Sequence, residues 1–141
     1  MLNVRLVAVG GIKESFFSCA IAEYTKRLTK YCKFEIIEIR ESTPAKETRD
    51  IMDKVKGHAF LFDIAGDLIT SPTLADKISH LTQTTSAVTF IIGGSNGVTC
   101  DLNAERISFG RVTYPHQLFR VIATEQIYRA FTIIAGEKYH K

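Results

Sequence analysis

A chain of 141 residues fits one domain and can bury a core without disulfide or metal staples. Hydrophobic residues make up 45% and charged residues 23%, a balance that excludes disorder and low-complexity behaviour. The formal charge of +3, from 18 basic and 15 acidic residues, is too small for a protein that coats DNA.

Residues 61–100 carry Lys77 alone against Asp63, Asp67 and Asp76, whereas residues 101–141 carry Arg106, Arg111, Arg120, Arg129, Lys138 and Lys141 with His116 and His140. The C-terminal part therefore leans basic. A basic face can meet phosphates, but charge alone does not separate that from an ordinary solvated surface. Cys19, Cys32 and Cys100 are odd in number and widely spaced, which suits a reducing cytosol and provides no metal-ligand pattern. The N-terminal residues read as a strand, not a secretory leader, and the apolar stretches fall far short of the roughly 20 residues of a membrane helix. The expectation is a cytoplasmic protein with no metal and no membrane partner.

In chain order, Leu2 to Val9 reads as a buried strand followed by Gly10-Gly11. Phe17, Ile21, Tyr24, Leu28 and Tyr31 then recur at helical spacing. Phe34 to Ile39 is a second strand. Ser42-Thr43-Pro44 starts a helix with a hydroxyl cap and a proline in the first turn, predicted to run to Lys56 and stop at Gly57. Ala59 to Ile64 is a third strand ending in an Ala65-Gly66-Asp67 turn. Ser71-Pro72 opens another helix, with Leu74, Ile78 and Leu81 on its buried face. Ala87 to Ile92 is apolar enough for a central strand, and Gly93 to Gly97 is a loop. A short helix over Asp101 to Arg106, a fifth strand over Ile107 to Val112 and a long helix from Pro115 to Ala135, capped by Gly136, complete the pattern. The expected fold is an α/β domain spanning residues 1–141, with five mostly parallel strands and helices on both faces of the sheet, in an ordinary doubly wound order.

Ligands in such sheets bind beyond the carboxyl ends of the strands, which directs attention to Phe62-Asp63, Gly93 to Gly97 and Phe109 to Tyr114. The glycine loop is neither a dinucleotide fingerprint nor a P-loop, and a tight turn explains it as well as a cofactor loop does. Pro115-His116-Gln117-Leu118-Phe119-Arg120 puts His116 and Arg120 on one face of a helix start, where a phosphate can be held. Glu125 and Arg129, four residues apart, read as a plain helix pair. The ending Tyr139-His140-Lys141 offers stacking, a proton carrier and a cation, although spacing alone would read it as a frayed end.

Together these segments resemble the bacterial large-subunit ribosomal RNA methyltransferase H family of the SPOUT (α/β-knot) superfamily. The resemblance rests on Leu6-Val7-Ala8-Val9-Gly10, Phe62-Asp63 with Gly66, Phe90-Ile91-Ile92-Gly93-Gly94 with Gly97, Thr113 with Pro115-His116-Gln117-Leu118, Arg120-Val121, Glu125-Gln126, Tyr128-Arg129-Ala130 and Tyr139-His140. It implies a homodimer that uses S-adenosyl-L-methionine to methylate N3 of a pseudouridine in 23S RNA of the assembled ribosome, and a trefoil knot in the C-terminal half. By position it assigns cofactor contacts to Phe62, Gly93, Gly94, Gly97 and the run Phe109, Gly110, Arg111, Val112, Thr113 and Tyr114. It assigns substrate and catalytic roles to His116, Arg120, Tyr139 and His140. Asn96 replaces the loop's usual acidic residue, Gly110 a common serine and Lys141 the usual terminal arginine, and the stretch from Pro44 to Ala59 is shorter than the family pattern. A non-catalytic RNA-binding module with the same fold and a Rossmann-type nucleotide enzyme are the alternatives, and binding of S-adenosylmethionine separates the first reading from both.

Overall fold

The computed structural model describes residues 1–141. Five parallel strands, β1 (Asn3–Val9), β2 (Lys33–Ile39), β3 (His58–Leu68), β4 (Ala87–Ile92) and β5 (Glu105–Ser108), form one sheet in the order β2-β1-β4-β3-β5. Four helices accompany them: α1 (Ser15–Leu28), α2 (Pro44–Met52), α3 (Ser71–Leu81) and α4 (His116–Ile134). No helix is long and apolar enough to cross a membrane.

The strands are apolar on both faces because the sheet is covered on both sides. Alternate residues divide between two cores. Leu6, Ala8, Phe60, Phe90 and Ile92 point to the side covered by α1, α3 and α4, and Val7, Val9, Leu61 and Ile91 to the side covered by α2. Phe90 pairs in register with Leu6 on one neighbour and Phe60 on the other, and the Phe60 and Phe90 rings stack at 5.2 Å. Both phenylalanines are fully buried, which contributes about 1.5–3 kcal/mol each. Helix α4 packs against both α1 and α3 and buries Ala123, Thr124, Ile127, Ala130, Phe131 and Thr132, so it is a central helix with little free face.

Several local expectations change. Helix α2 stops at Met52, four residues early, and Gly57 (φ +69°) makes the turn into β3. Helix α3 is capped by Thr70, whose side chain accepts the Thr73 N–H, one residue before the expected start. No helix forms over Asp101 to Arg106. Leu102 is instead drawn into the α2-side core, and Glu105 and Arg106 enter the ladder opposite Phe60 and Leu61. Strand β5 accordingly begins two residues early. It ends at Ser108, not Val112, because the Ser108 hydroxyl accepts the Gly110 N–H and draws the chain into a turn at Gly110, whose φ of +129° suits glycine alone. The expected turn at Ala65-Gly66-Asp67 is an excursion within β3: Phe62 and Asp67 both pair with Ile107, and the residues between them leave the ladder. Gly66 is needed there, since a Cβ would lie 2.8 Å from the Arg106 carbonyl carbon.

Candidate active site

Beyond the carboxyl ends of β3, β4 and β5 lies a cleft of about 530 Å³. Its aromatic wall grows out of the core. Phe62, stacked on Phe90 at 5.9 Å, meets Phe109 at 5.0 Å and Phe119 at 5.2 Å, and Tyr114 closes on Phe119 at 5.8 Å. The opposite wall is the Gly93 to Val98 loop. Apolar walls combined with bare backbone amides suit a planar heterocycle with a polar periphery.

The cleft gathers Phe62, Gly93, Gly94, Gly97, Phe109, Gly110, Val112, Thr113, Tyr114 and His116 from three separate segments. Arg111 belongs to the same loop but turns away. Its guanidinium donates to the carbonyls of Ile64 and Gly66, latching the 109–114 segment to the β3 excursion. The Ser108 hydroxyl, 3.1 Å from the Ile64 carbonyl, adds to this latch.

Two lining residues, Asp63 and Arg106, escaped sequence reasoning as a pair. Arg106 Nη1 donates to Asp63 Oδ2 at 2.8 Å. The Asp63 carboxyl is held below its ordinary range by the Ala65 amide first and by the Arg106 hydrogen bond second. Only the side-by-side pairing of β3 and β5 joins them, and no local spacing carries that signal.

Arg120 does not face the cleft. It is 5% exposed, with Nη1 donating to Glu38 Oε2 at 2.5 Å and Nη2 to the Gly10 carbonyl at 2.9 Å. Its neighbour Gln117 accepts the Lys13 and Glu14 amides at 2.9 and 3.2 Å, so the first turn of α4 is tied to the start of α1. His116 is exposed on that turn, at the cleft.

The C-terminal segment folds back on α1 and α4, against the frayed end that spacing alone suggests. Glu137 pairs with Lys30 at 2.9 Å and accepts the Tyr31 hydroxyl at 2.7 Å. Tyr139 lies edge-on to Tyr128 at 4.8 Å, with the Arg129 guanidinium over its ring at 4.8 Å. Burial first, and then the charge of Glu125, pushes the Tyr139 phenol up to about 12. Arg129, braced by Glu125 at 2.7 Å, also contacts His140 Nδ1 at 3.1 Å. A guanidinium can only donate, so Nδ1 accepts and the imidazole proton sits on Nε2. The Glu125–Arg129 pair, plain in the sequence, thus organises the tail. Neither Tyr139 nor His140 lines the cleft.

A family model described as predicted SPOUT methyltransferase matches residues 2–140. This protein belongs to the SPOUT methyltransferase family. Curated SPOUT relatives carry the name ribosomal RNA large subunit methyltransferase H: that of Oenococcus oeni is 43% identical, with all of both chains covered. Those of Limosilactobacillus reuteri and Clostridium botulinum are 43% and 42% identical, covering 99% of this chain and all of theirs. The alignments extend over 159 to 160 positions, so these SPOUT relatives carry residues that the 141-residue chain lacks. The all-parallel α/β sheet agrees with membership of the family.

Proposed function

We propose that this protein methylates a large-subunit (23S) ribosomal RNA base, N3 of a pseudouridine, from S-adenosyl-L-methionine, acting as a homodimer on the assembled ribosome in the cytoplasm. The observation that carries the reading is the convergence of the Phe62, Gly93 to Gly97 and Phe109 to Tyr114 segments on one cleft. The cofactor's residues fit: Phe62, Phe109 and Tyr114 offer faces for an adenine, and the two glycine-containing loops offer backbone amides. When bound, S-adenosylmethionine supplies a methyl already activated by a sulfonium.

The chain must hold the base in line with that methyl and take the imide proton that N3 loses as its bond to carbon forms. His116 stands at the cleft itself. His140 is bonded to Arg129, and the helical rise from His116 to Arg129 is about 20 Å. On this reading the tail serves the cleft of a second copy. Leu118, Val121 and Ile122 of α4 remain half-exposed and supply an apolar strip for that copy. At such a composite site Tyr139 can stack on a base, while His140 handles the proton once Arg129 releases Nδ1.

The trefoil knot is part of the same reading. β5 lies outside β3 in the strand order, so the chain passes β3 through residues 93–104 and returns from that edge to α4 through 109–115.

The test is transfer of tritiated methyl to ribosomes from a strain lacking the enzyme, beside calorimetry with S-adenosylhomocysteine. Incorporation into intact ribosomes with little into naked RNA is expected. Absence of both binding and incorporation overturns the reading, and RNA binding without either favours the non-catalytic module.

A further inference from the structure

Helix α2 is the only helix on its face of the sheet, and it touches the cleft only through the glycine loop. Two of its residues are buried polar groups that packing alone does not call for: Glu47 at 5% exposure and Thr48 at 1%. Buried polar side chains persist where they are bonded to something that matters.

Thr48 Oγ1 donates to the Pro44 carbonyl at 2.7 Å and accepts the Thr99 N–H at 3.0 Å. This is the one hydrogen bond from residues 93–99 to another element. Within and beside the loop, Gly97 N–H bonds the Gly94 carbonyl, and the Thr99 hydroxyl bonds Asp101. Glu47 Oε2 accepts the Ser42 N–H at 2.7 Å, which fixes its carboxylate, and its other oxygen faces Gly94 so closely that a Cβ there would lie 2.6 Å away. Val98 and Leu102, on the same stretch of chain, pack with Ile51 of α2. The loop that forms one wall of the cleft is therefore seated by α2, from the face opposite α4.

We propose that Glu47 and Thr48 are positioning residues for the cofactor: they set the pose of the Gly93 to Thr99 loop so that its amides face the ligand. The proposal rests on the reading that the cleft holds S-adenosylmethionine. Glu47 limits how near the loop can approach α2, and Thr48 limits how far it can leave. Losing the Thr48 hydroxyl frees the loop to sample other poses, and the ligand must then select the competent one at a loss of affinity.

The experiment compares Thr48→Val with Thr48→Ser, and Thr48→Ala as a second variant that introduces no extra methyl. S-adenosylhomocysteine affinity is measured by calorimetry. Amide hydrogen exchange is followed in the segment 93–101 and in β1 and β4. Thr48→Val and Thr48→Ala should weaken binding about tenfold, with faster exchange confined to 93–101. Thr48→Ser should restore both. A purely structural role would speed exchange across β1 and β4 and would not single out the loop. Wild-type protein that binds while all three variants bind equally overturns the positioning role and leaves the cofactor reading intact. Wild-type protein that does not bind overturns the cofactor reading and this proposal with it.

Discussion

Arg120 of α4 reaches Glu38 of β2 at 2.5 Å while its second amino group bonds the Gly10 carbonyl at the end of β1. One side chain thus fastens the first turns of the central helix to the two strands at the β2 edge. Removing a buried charge partner costs most when the remaining charge stays buried, but Glu38 is 51% exposed and can rehydrate. Arg120→Ala should therefore lower stability by about 1.5–3 kcal/mol, the range for hydrogen bonds to charged groups. Arg120→Lys should recover only part, since the fork is lost. Thermal melting checks this. A variant that melts like wild type but no longer engages ribosomes would give Arg120 to the RNA.

Gly94→Ala should abolish S-adenosylhomocysteine binding while the fold survives. The reason lies behind the loop and not in the space open to the ligand. The new methyl would meet Glu47 Oε1 at 2.6 Å and Val9 Cγ1 at 3.2 Å, on the protein side, and would push the loop into the cleft. Gly93→Ala meets Val98 Cγ1 at 3.1 Å and the Gly97 carbonyl carbon at an ordinary 3.9 Å, and should weaken binding less. Calorimetry that ranks the two variants the other way round contradicts this picture.

Elements whose signals are local were legible in the chain: the Thr43 cap with Pro44, the four-three-four spacing of α1 and the apolar run of β4. What failed was decided by partners distant in sequence. Glu105 and Arg106 look helical in isolation, yet β3 lies alongside and claims them for its ladder. The β3 excursion was visible only as a turn because its return to the strand depends on Ile107. The Phe62-Asp63, Gly93 to Gly97 and Phe109 to Tyr114 segments were legible from the strand-end rule, and the fold brings them to one cleft. The Asp63–Arg106 pair, the burial of Arg120 and the role of α2 beneath the glycine loop depend on strand order, which periodicity does not encode.

The Tyr139 phenol, at about 12, should titrate late. Tyr31 is also raised, by burial first and by its bond to Glu137 second. In an ultraviolet titration, the phenolate signal should show a fraction ionising well above the ordinary value of 10, and Tyr139→Phe should remove part of it. A phenol whose folded value is raised holds its proton more tightly when folded. Its contribution to stability is complete below about pH 10 and is lost as pH rises toward 12. In the proposed reaction Tyr139 therefore enters as a neutral phenol, suited to stacking and not to proton abstraction. If Tyr139→Phe instead removes amplitude near pH 10, the phenol sits in solvent.

Deleting Tyr139 to Lys141 should leave cofactor binding unchanged, because none of these residues lines the cleft. Methyl transfer should nevertheless be lost. The more telling experiment mixes two inactive proteins. One lacks the tail but has an intact cleft, and the other carries Gly94→Ala but keeps its tail. Each homodimer is dead, the first at the tail and the second at the cleft. If the tail acts on the cleft of a second copy, a mixed dimer contains one cleft that is whole and is served by a whole tail. Random reassortment makes half the dimers mixed, each with one working site of two, so activity should return to about a quarter of wild type. Reassortment needs a brief exposure to denaturant, and size-exclusion chromatography verifies that dimers re-form. If instead each tail serves its own cleft, no mixed dimer holds a complete site and activity stays at zero. The rise of about 20 Å that α4 places between His116 and Arg129, where the tail is held, makes recovery the expected result. An inactive mixture would mean that each tail serves its own cleft, whereas transfer retained by the tail-deleted protein alone would remove His140 from the chemistry and leave His116, already at the cleft, as the proton acceptor.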